Sequence, residues 1–353
     1  MKVYLSTFES DPHLSPNPFV YTLMDSMLEE HDEVQTETHK DVFWTEDICS
    51  FDIIHIMWPD ALLIDGKHTY TELCNQLKLI KRSKAVVVCT CHNLHSNNTS
   101  ENAILAYDLV YQYADYFIHL GKYSSEVLKD KYPKAAHKII PHHVYDTVYT
   151  NVPSKKDALK KLSLSNKLYA ISFGAFRNSN ERDLFFRLAD SLKKYHVYCI
   201  APSFMDIPKG KINSRWLKQR LKKIYWQIKH PNTILGGEYV SDELLPYYYA
   251  ASDISIIQRI DILNSGNVPL GMYFGNLILG PNVGNVNEIL TETDNFVFDI
   301  NNLSNIDDIC QKMLASVEKQ KGIKNREYVL SNLTTKKIAE ETYQLYKSLI
   351  LTL

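Results

Sequence analysis

The run Lys84-Ala85-Val86-Val87-Val88-Cys89-Thr90-Cys91 constrains the fold more than any other stretch. It is apolar at successive positions rather than alternate ones. A strand built from it must be covered on both faces, as in a parallel sheet between two helical layers. Residues 2–6, 52–59, 116–120 and 137–142 read as further strands. Residues 19–30, 69–81, 101–113 and 124–131 read as the helices between them, and a Pro/Ser/Asp-rich loop, 7–18, follows the first strand. Such β/α alternation predicts a doubly wound sheet.

Residues 147–164 break the alternation. They are polar and helix-prone, with Pro153 and a lysine-rich run, and read as a linker. Alternation then restarts with strands at 168–173, 197–201, 232–236, 254–257, 277–279 and 296–298. A chain of 353 residues is long for one core and comfortable for two. The expected architecture is α/β, with Rossmann-like domains over residues 1–150 and 165–330. A C-terminal helical segment, 331–353, is expected to cross back to the first domain. In such folds ligands bind at the carboxyl ends of the strands, here facing a cleft between the domains. The formal net charge of −2 gives no electrostatic reason to expect nucleic acid. The six cysteines lack a secreted-framework spacing, residues 1–6 lack a signal-peptide apolar core, and no apolar run spans a bilayer. The expectation is a reducing, cytoplasmic setting.

Candidate chemistry gathers at strand ends. Asn264-Ser265-Gly266-Asn267 precedes an apolar helical stretch. Free N–H groups beside a positive dipole end suit an anion such as a diphosphate, and Gly266 would admit close approach or a positive φ. The same residues would also serve an ordinary loop-to-helix joint. Arg177 and Arg182 follow the first strand of the second half, where guanidinium groups can take phosphate oxygens; they could equally be surface charge at a helix start. No Asp-x-Asp triplet occurs, so no metal is expected to bridge a diphosphate. His92 directly follows the apolar run and could hydrogen-bond a sugar hydroxyl, or simply end a strand. Glu9, Asp11 and His13 lie in the first loop, where one could act as a general base or be plain loop polarity. Cys89, Cys91, His92 and His95 do not complete a zinc tetrahedron.

Several pieces, in order, resemble the GT-B glycosyltransferases, and the C-terminal half resembles glycosyltransferase family 4. Asp52-Ile53-Ile54-His55-Ile56-Met57-Trp58-Pro59 resembles "D-x-x-H-x-H-W-P", and Cys91-His92-Asn93-Leu94-His95 resembles "H-N-x-x-x-H". Ile139-Ile140-Pro141-His142-His143-Val144-Tyr145 resembles "I-P-H-G-x-Y", and Phe173-Gly174-Ala175-Phe176-Arg177 resembles "F-G-x-x-R". Tyr248, Ala250, Ala251, Ser252 and Asp253 resemble "Y-x-A-A-D", and Gly284-Asn285-Val286-Asn287-Glu288 resembles "G-G-x-x-E". The resemblance implies a sugar transferase using a UDP- or GDP-linked nucleotide-sugar and no other cofactor. It implies retention of configuration and a saccharide or lipid-linked saccharide acceptor in surface polysaccharide or glycolipid assembly. His92 and Arg177 would be catalytic. Arg182, Tyr239, Asn264, Ser265, Gly266, Asn267 and Glu288 would bind the donor, Tyr239 beside the nucleobase. Glu9, His13, His55, Trp58, Asn93 and His95 would bind the acceptor.

Two departures stand out. The family's paired glutamates are missing, the second falling on Leu270. The family's lysine after the arginine is replaced by Asn180 and Glu181, with Arg182 just beyond. The expectation is a donor site remodelled around Ser265-Gly266-Asn267 and Arg182. A glutamate at Leu270 should then be tolerated or tighten ribose contact. The alternatives are a non-catalytic nucleotide- or sugar-binding protein and a sugar-nucleotide epimerase of the same fold. A separate signal is the stretch 209–229, with eight Lys/Arg, no acid, and Leu217, Leu221, Ile224 and Ile228 at helical spacing. It could lie on an anionic membrane face, making the protein peripheral to the inner face of the cell membrane, or pack its stripe on the sheet.

Overall fold

A computed structural model of the chain describes residues 1–96, 100–205, 214–237, 239–317 and 321–351. It divides into two compact units: Met1–Val148 with Leu333–Leu353, and Tyr149–Asn332.

The first unit is built on strands β1 (Lys2–Ser6), β2 (Gln35–Glu37), β3 (Ile53–Ile56), β4 (Val86–Cys91), β5 (Tyr116–His119) and β6 (Ala136–Ile139). Their order is β2-β1-β3-β4-β5-β6, with every pair parallel. The apolar run forms β4, interior in the sheet and buried at every residue. Helices α1 (Phe19–Glu30), α2 (Lys40–Phe43), α3 (Tyr70–Ile80), α4 (Glu101–Tyr113) and α5 (Lys122–Lys131) connect the strands. Their starts follow local chemistry. At α3 the Thr69 hydroxyl accepts from the Glu72 N–H while the Glu72 carboxylate accepts from the Thr69 N–H, a complete capping box.

The second unit begins at α6 (Lys155–Lys161). This helix lies inside the expected linker and corrects it: Ala158 and Leu159 are buried with Tyr169, Ile200 and Ala251, so part of 147–164 belongs to the second core. Strands β7 (Leu168–Ile171), β8 (Val197–Ala201), β9 (Thr233–Leu235), β10 (Ile254–Ile256), β11 (Leu277–Pro281) and β12 (Phe296–Phe298) form an all-parallel sheet ordered β12-β11-β10-β7-β8-β9. The other helices are α7 (Ser179–Lys193), α8 (Ser214–Lys229), α9 (Leu245–Ala251), α10 (Asn267–Tyr273), α11 (Gly284–Glu292), α12 (Ile306–Val317) and α13 (Lys321–Asn332). The last helix, α14 (Thr335–Leu351), belongs to the first unit and packs on α1.

Strand order reverses between β1 and β3 in the first unit and between β7 and β10 in the second. The loops leaving those strands frame the crevice of each sheet. Among the described residues, no helix is long and apolar enough to cross a membrane.

Candidate functional site

At the β7/β10 junction, the chain leaving β7 passes Gly174 and reaches Arg177. The chain leaving β10 reaches Gln258 and Arg259. Glu181, on the first turn of α7, organises both loops although its side chain is only 2% exposed. Asn178 caps α7 by accepting from the Glu181 N–H, and the Glu181 carboxylate accepts from the Arg177 N–H at 2.7 Å. The same carboxylate pairs with the Arg259 guanidinium at 3.2 Å. Burial, and then the like charge of Arg177, hold the Arg259 guanidinium below its ordinary value. Two cations thus stand against one buried anion, leaving a net positive charge for an incoming anion. Gly174 adopts a left-handed conformation (φ +95°), and a Cβ there would touch Asn267 Nδ2 and Arg259. The glycine leaves the backbone approachable between them.

Arg259 was not among the sequence candidates. The available signal was a charged residue two positions past a continuous apolar strand, which in a doubly wound sheet is a crevice position. Arg182 lies further along α7, half-buried, and among the described residues no bond joins it to Arg177 or Arg259. Tyr239 is 71% exposed on the loop after β9, the edge strand, away from the β7/β10 junction. Glu238 beside it lies outside the described residues.

The loop before α10 is held from two sides. Asn267 Nδ2 donates to the Phe173 carbonyl at 2.9 Å, tying α10 to the end of β7. Asn285 Nδ2 donates to Asn264 Oδ1 at 2.8 Å, and the Asn285 N–H donates to the Leu263 carbonyl. Gly284 (φ +50°) allows that approach, since a Cβ there would lie 2.8 Å from the Leu263 carbonyl oxygen. Glu288 follows on α11, half-buried. Two expectations are corrected. Gly266 has an ordinary right-handed helical conformation, so no positive φ requires glycine there. Leu270 is 3% exposed in the core, where a glutamate could not reach a ligand without repacking α10.

In the first unit, the β1/β3 junction carries an aromatic cluster. Trp58, after β3, stacks on His92 at the end of β4, with centroids 4.6 Å apart, and lies 5.3 Å from Phe8 after β1. Phe19 meets His92, His142 and His143 edge-on or tilted. Burial, with smaller contributions from His142 and His55, holds His92 well below its ordinary value, so the ring is neutral at pH 7. Trp58 and His92 are both half-buried. His55 does not join them. It is buried inside β3, with Nδ1 hydrogen-bonded to the Tyr346 hydroxyl and Nε2 to Thr90 Oγ1, so both ring nitrogens are occupied. This corrects its assignment as an acceptor ligand. Asn93 uses its carbonyl to accept from the Tyr111 hydroxyl and its amide to reach Tyr107, as a packing residue does. His95 is exposed, its ring near the Ser96 carbonyl. Glu9 is exposed, and its carbonyl accepts from Thr7. His13 sits between Asp25 (2.9 Å) and Asp11 (3.1 Å). The Asp25 hydrogen bond leads in raising its pKa, which favours the charged form and opposes a general-base role. Among the described residues, no group of three or more His, Cys, Asp or Glu side chains is placed to hold a metal.

The buried histidines predict acid sensitivity. Burial pushes His55 down to about 3, His119 to about 3 and His142 to about 4. Above the ordinary value near 6.5 these groups are neutral folded and unfolded, so they leave stability unchanged. Below it the unfolded chain binds more protons, and stability falls by about 1.4 kcal/mol per pH unit for each histidine until the folded pKa is reached. Urea denaturation should therefore give a stability at least about 3 kcal/mol lower near pH 5 than near pH 7.5. A flat profile across that window would contradict these environments.

No family model matches the chain, and no curated protein matches it. Solved structures do. Sucrose-phosphate synthase from Thermosynechococcus elongatus superposes with a TM-score of 0.74 at 14% identity, covering 100% of both chains. The Anabaena HepE protein in complex with UDP-glucose gives 0.71 at 14% identity, over 99% of this chain and 100% of that one. A candidate UDP-N-acetylglucosamine 2-epimerase from Listeria monocytogenes gives 0.62 at 11% identity, over 98% and 96%. With its two six-stranded parallel sheets, the chain has the GT-B fold.

Proposed function

We propose that this chain is a glycosyltransferase that moves a sugar from a UDP- or GDP-linked donor to a saccharide or lipid-linked saccharide. The observation carrying the reading is Arg259, paired with buried Glu181 at the β7/β10 junction and close enough to Arg177 to feel its like charge. In the transfer, the bond from the anomeric carbon to the diphosphate breaks, a bond to an acceptor oxygen forms, and the acceptor hydroxyl's proton passes to an oxygen of the departing diphosphate. The leaving diphosphate gains charge, and fixed guanidinium groups stabilise it without a metal. Donor binding falls to the second unit, through Arg177, Arg259 and the loop 264–267, with Glu288 on the first turns of α11, the helix whose Asn285 holds Asn264. Acceptor binding falls to the first unit, where the half-buried Trp58 and the neutral His92 stand just past the ends of β3 and β4. Retention of configuration and a role in surface polysaccharide or glycolipid assembly rest on the family resemblance.

A second reading, a non-catalytic nucleotide- or sugar-binding protein, is favoured by one observation: apolar Leu270 where the family has a carboxylate. A thermal-shift screen across nucleoside diphosphates and their sugars, followed by assay of sugar release from any donor that stabilises the protein, separates the two. Stabilisation with turnover supports the transferase. Stabilisation without turnover, with saccharide acceptors present, supports the binder. No stabilisation by any nucleotide or nucleotide-sugar removes the transferase and the nucleotide binder.

A further inference from the structure

The basic helix α8 (Ser214–Lys229) has two apolar faces where a covering helix needs one. Trp226 turns inward, stacking on Phe186 at 4.6 Å and packing against the second core. With Trp216, Gln219 and Lys223, all half-buried, it marks the packed side. Leu217, Leu221, Ile224 and Ile228 recur at i, i+4, i+7 and i+11, which at ~100° per residue places them within an arc of about 60°, roughly opposite that side. All four are between 50% and 76% exposed, and Tyr225 beside them is 56% exposed. The sequence left open whether this stripe packs on the sheet, and it does not. Residues 209–213 lie outside the described residues, and the stripe does not depend on them.

The charges around the stripe choose its partner. The helix carries six Lys/Arg and no Asp or Glu. Lys218 and Lys222, both exposed, flank the stripe on one side, and Arg220, over the Trp216 ring at 4.6 Å, flanks it on the other. An apolar band of isolated Leu and Ile rimmed by cations matches an interface that is apolar below and anionic above. A folded partner protein would need an acidic groove of matching shape, whereas an anionic bilayer supplies both features at once. We propose that α8 is a membrane-docking helix that seats its Leu217/Leu221/Ile224/Ile228 stripe in the headgroup region of an anionic lipid surface. This does not depend on the nucleotide chemistry proposed above, although it would bring the protein to lipid-linked acceptors.

The test is co-sedimentation of the full chain, without nucleotide, with vesicles of phosphatidylcholine alone or mixed with phosphatidylglycerol. The expected result is at least about tenfold tighter binding to the anionic vesicles, weakened by salt. Leu221→Asp with Ile224→Asp should lose about tenfold or more of that binding. Lys218→Glu with Lys222→Glu should remove the preference for anionic lipid. All four side chains are exposed, so the variants should melt as the parent does. Equal binding of the parent to both vesicles, no binding to either, or undiminished binding by the Asp pair would overturn the proposal. So would sedimentation velocity showing a dimer that the Asp pair dissolves, since a second copy would then cover the stripe. UDP titration of the same variants should be unchanged, so failure here leaves the donor site untouched.

Discussion

Arg259→Ala is expected to lose folding stability and nucleotide affinity together. Glu181 would remain buried with one cation gone, and breaking a buried ion pair from one side costs about 3 kcal/mol, the low end of the usual range because Arg259 keeps some solvent contact. Denaturant unfolding measures that loss. Nucleoside diphosphate affinity should also fall by about 1.5–3 kcal/mol, the value of a hydrogen bond to a charged group. The two effects can be separated. Arg259→Met with Glu181→Gln removes the unpaired charge and keeps an acceptor for the Arg177 N–H, so most of the stability should return while nucleotide affinity stays low. If the double variant recovers affinity as well, Arg259 is a structural cation only.

Leu270→Glu is the second large effect. The family pattern puts a carboxylate at this position, and the sequence alone suggested that restoring it would be tolerated. In the structure Val268, Leu270, Met272 and Tyr273 are all buried around α10, and Gly271 lies so close to β10 that a Cβ would fall 2.6 Å from Ser255 Oγ. A carboxylate at 270 would enter that packing without a partner. The expected cost is on the order of 4–5 kcal/mol, among the largest for one substitution. Leu270→Met, which conserves volume, should cost under about 1.5 kcal/mol. Urea midpoints of the two variants measure the difference. A Glu variant as stable as the Met variant would mean that α10 turns this face to solvent.

Leu270 also marks where the sequence stops being legible. The sheets were readable because buried parallel strands are apolar at every position, as in β4 and in Ile254–Ile256. Helix starts were readable where capping is local, as at Thr69 and Glu72. The edge strand β2 (Gln35–Glu37) was missed because three polar residues carry no periodicity. The segment holding α6 read as a helix-prone linker rather than as part of the second core because only Ala158 and Leu159 of that lysine-rich helix are buried. At the site, His55 and His92 both stood as candidates from the sequence, His92 at the end of its apolar run and His55 by resemblance alone. What separates them is register: His55 lies within the apolar run and is locked by Thr90 and by Tyr346 of α14, nearly three hundred residues away in sequence, while His92 follows its run and reaches the crevice. Arg259 was hidden because its partner, Glu181, arrives from another strand's loop, and no local pattern encodes that meeting.

The measurement that bears most directly on the account is calorimetric titration of UDP and GDP into the parent protein and into Arg177→Ala. Arg177 is exposed and only its backbone N–H meets Glu181, so the variant keeps its fold. The parent should bind at least one of the two nucleotides, and Arg177→Ala should weaken that binding by roughly ten- to hundredfold, or about 1.5–3 kcal/mol. A parent that binds neither nucleotide, or a variant that binds as tightly as the parent, would contradict the anion site at the β7/β10 junction.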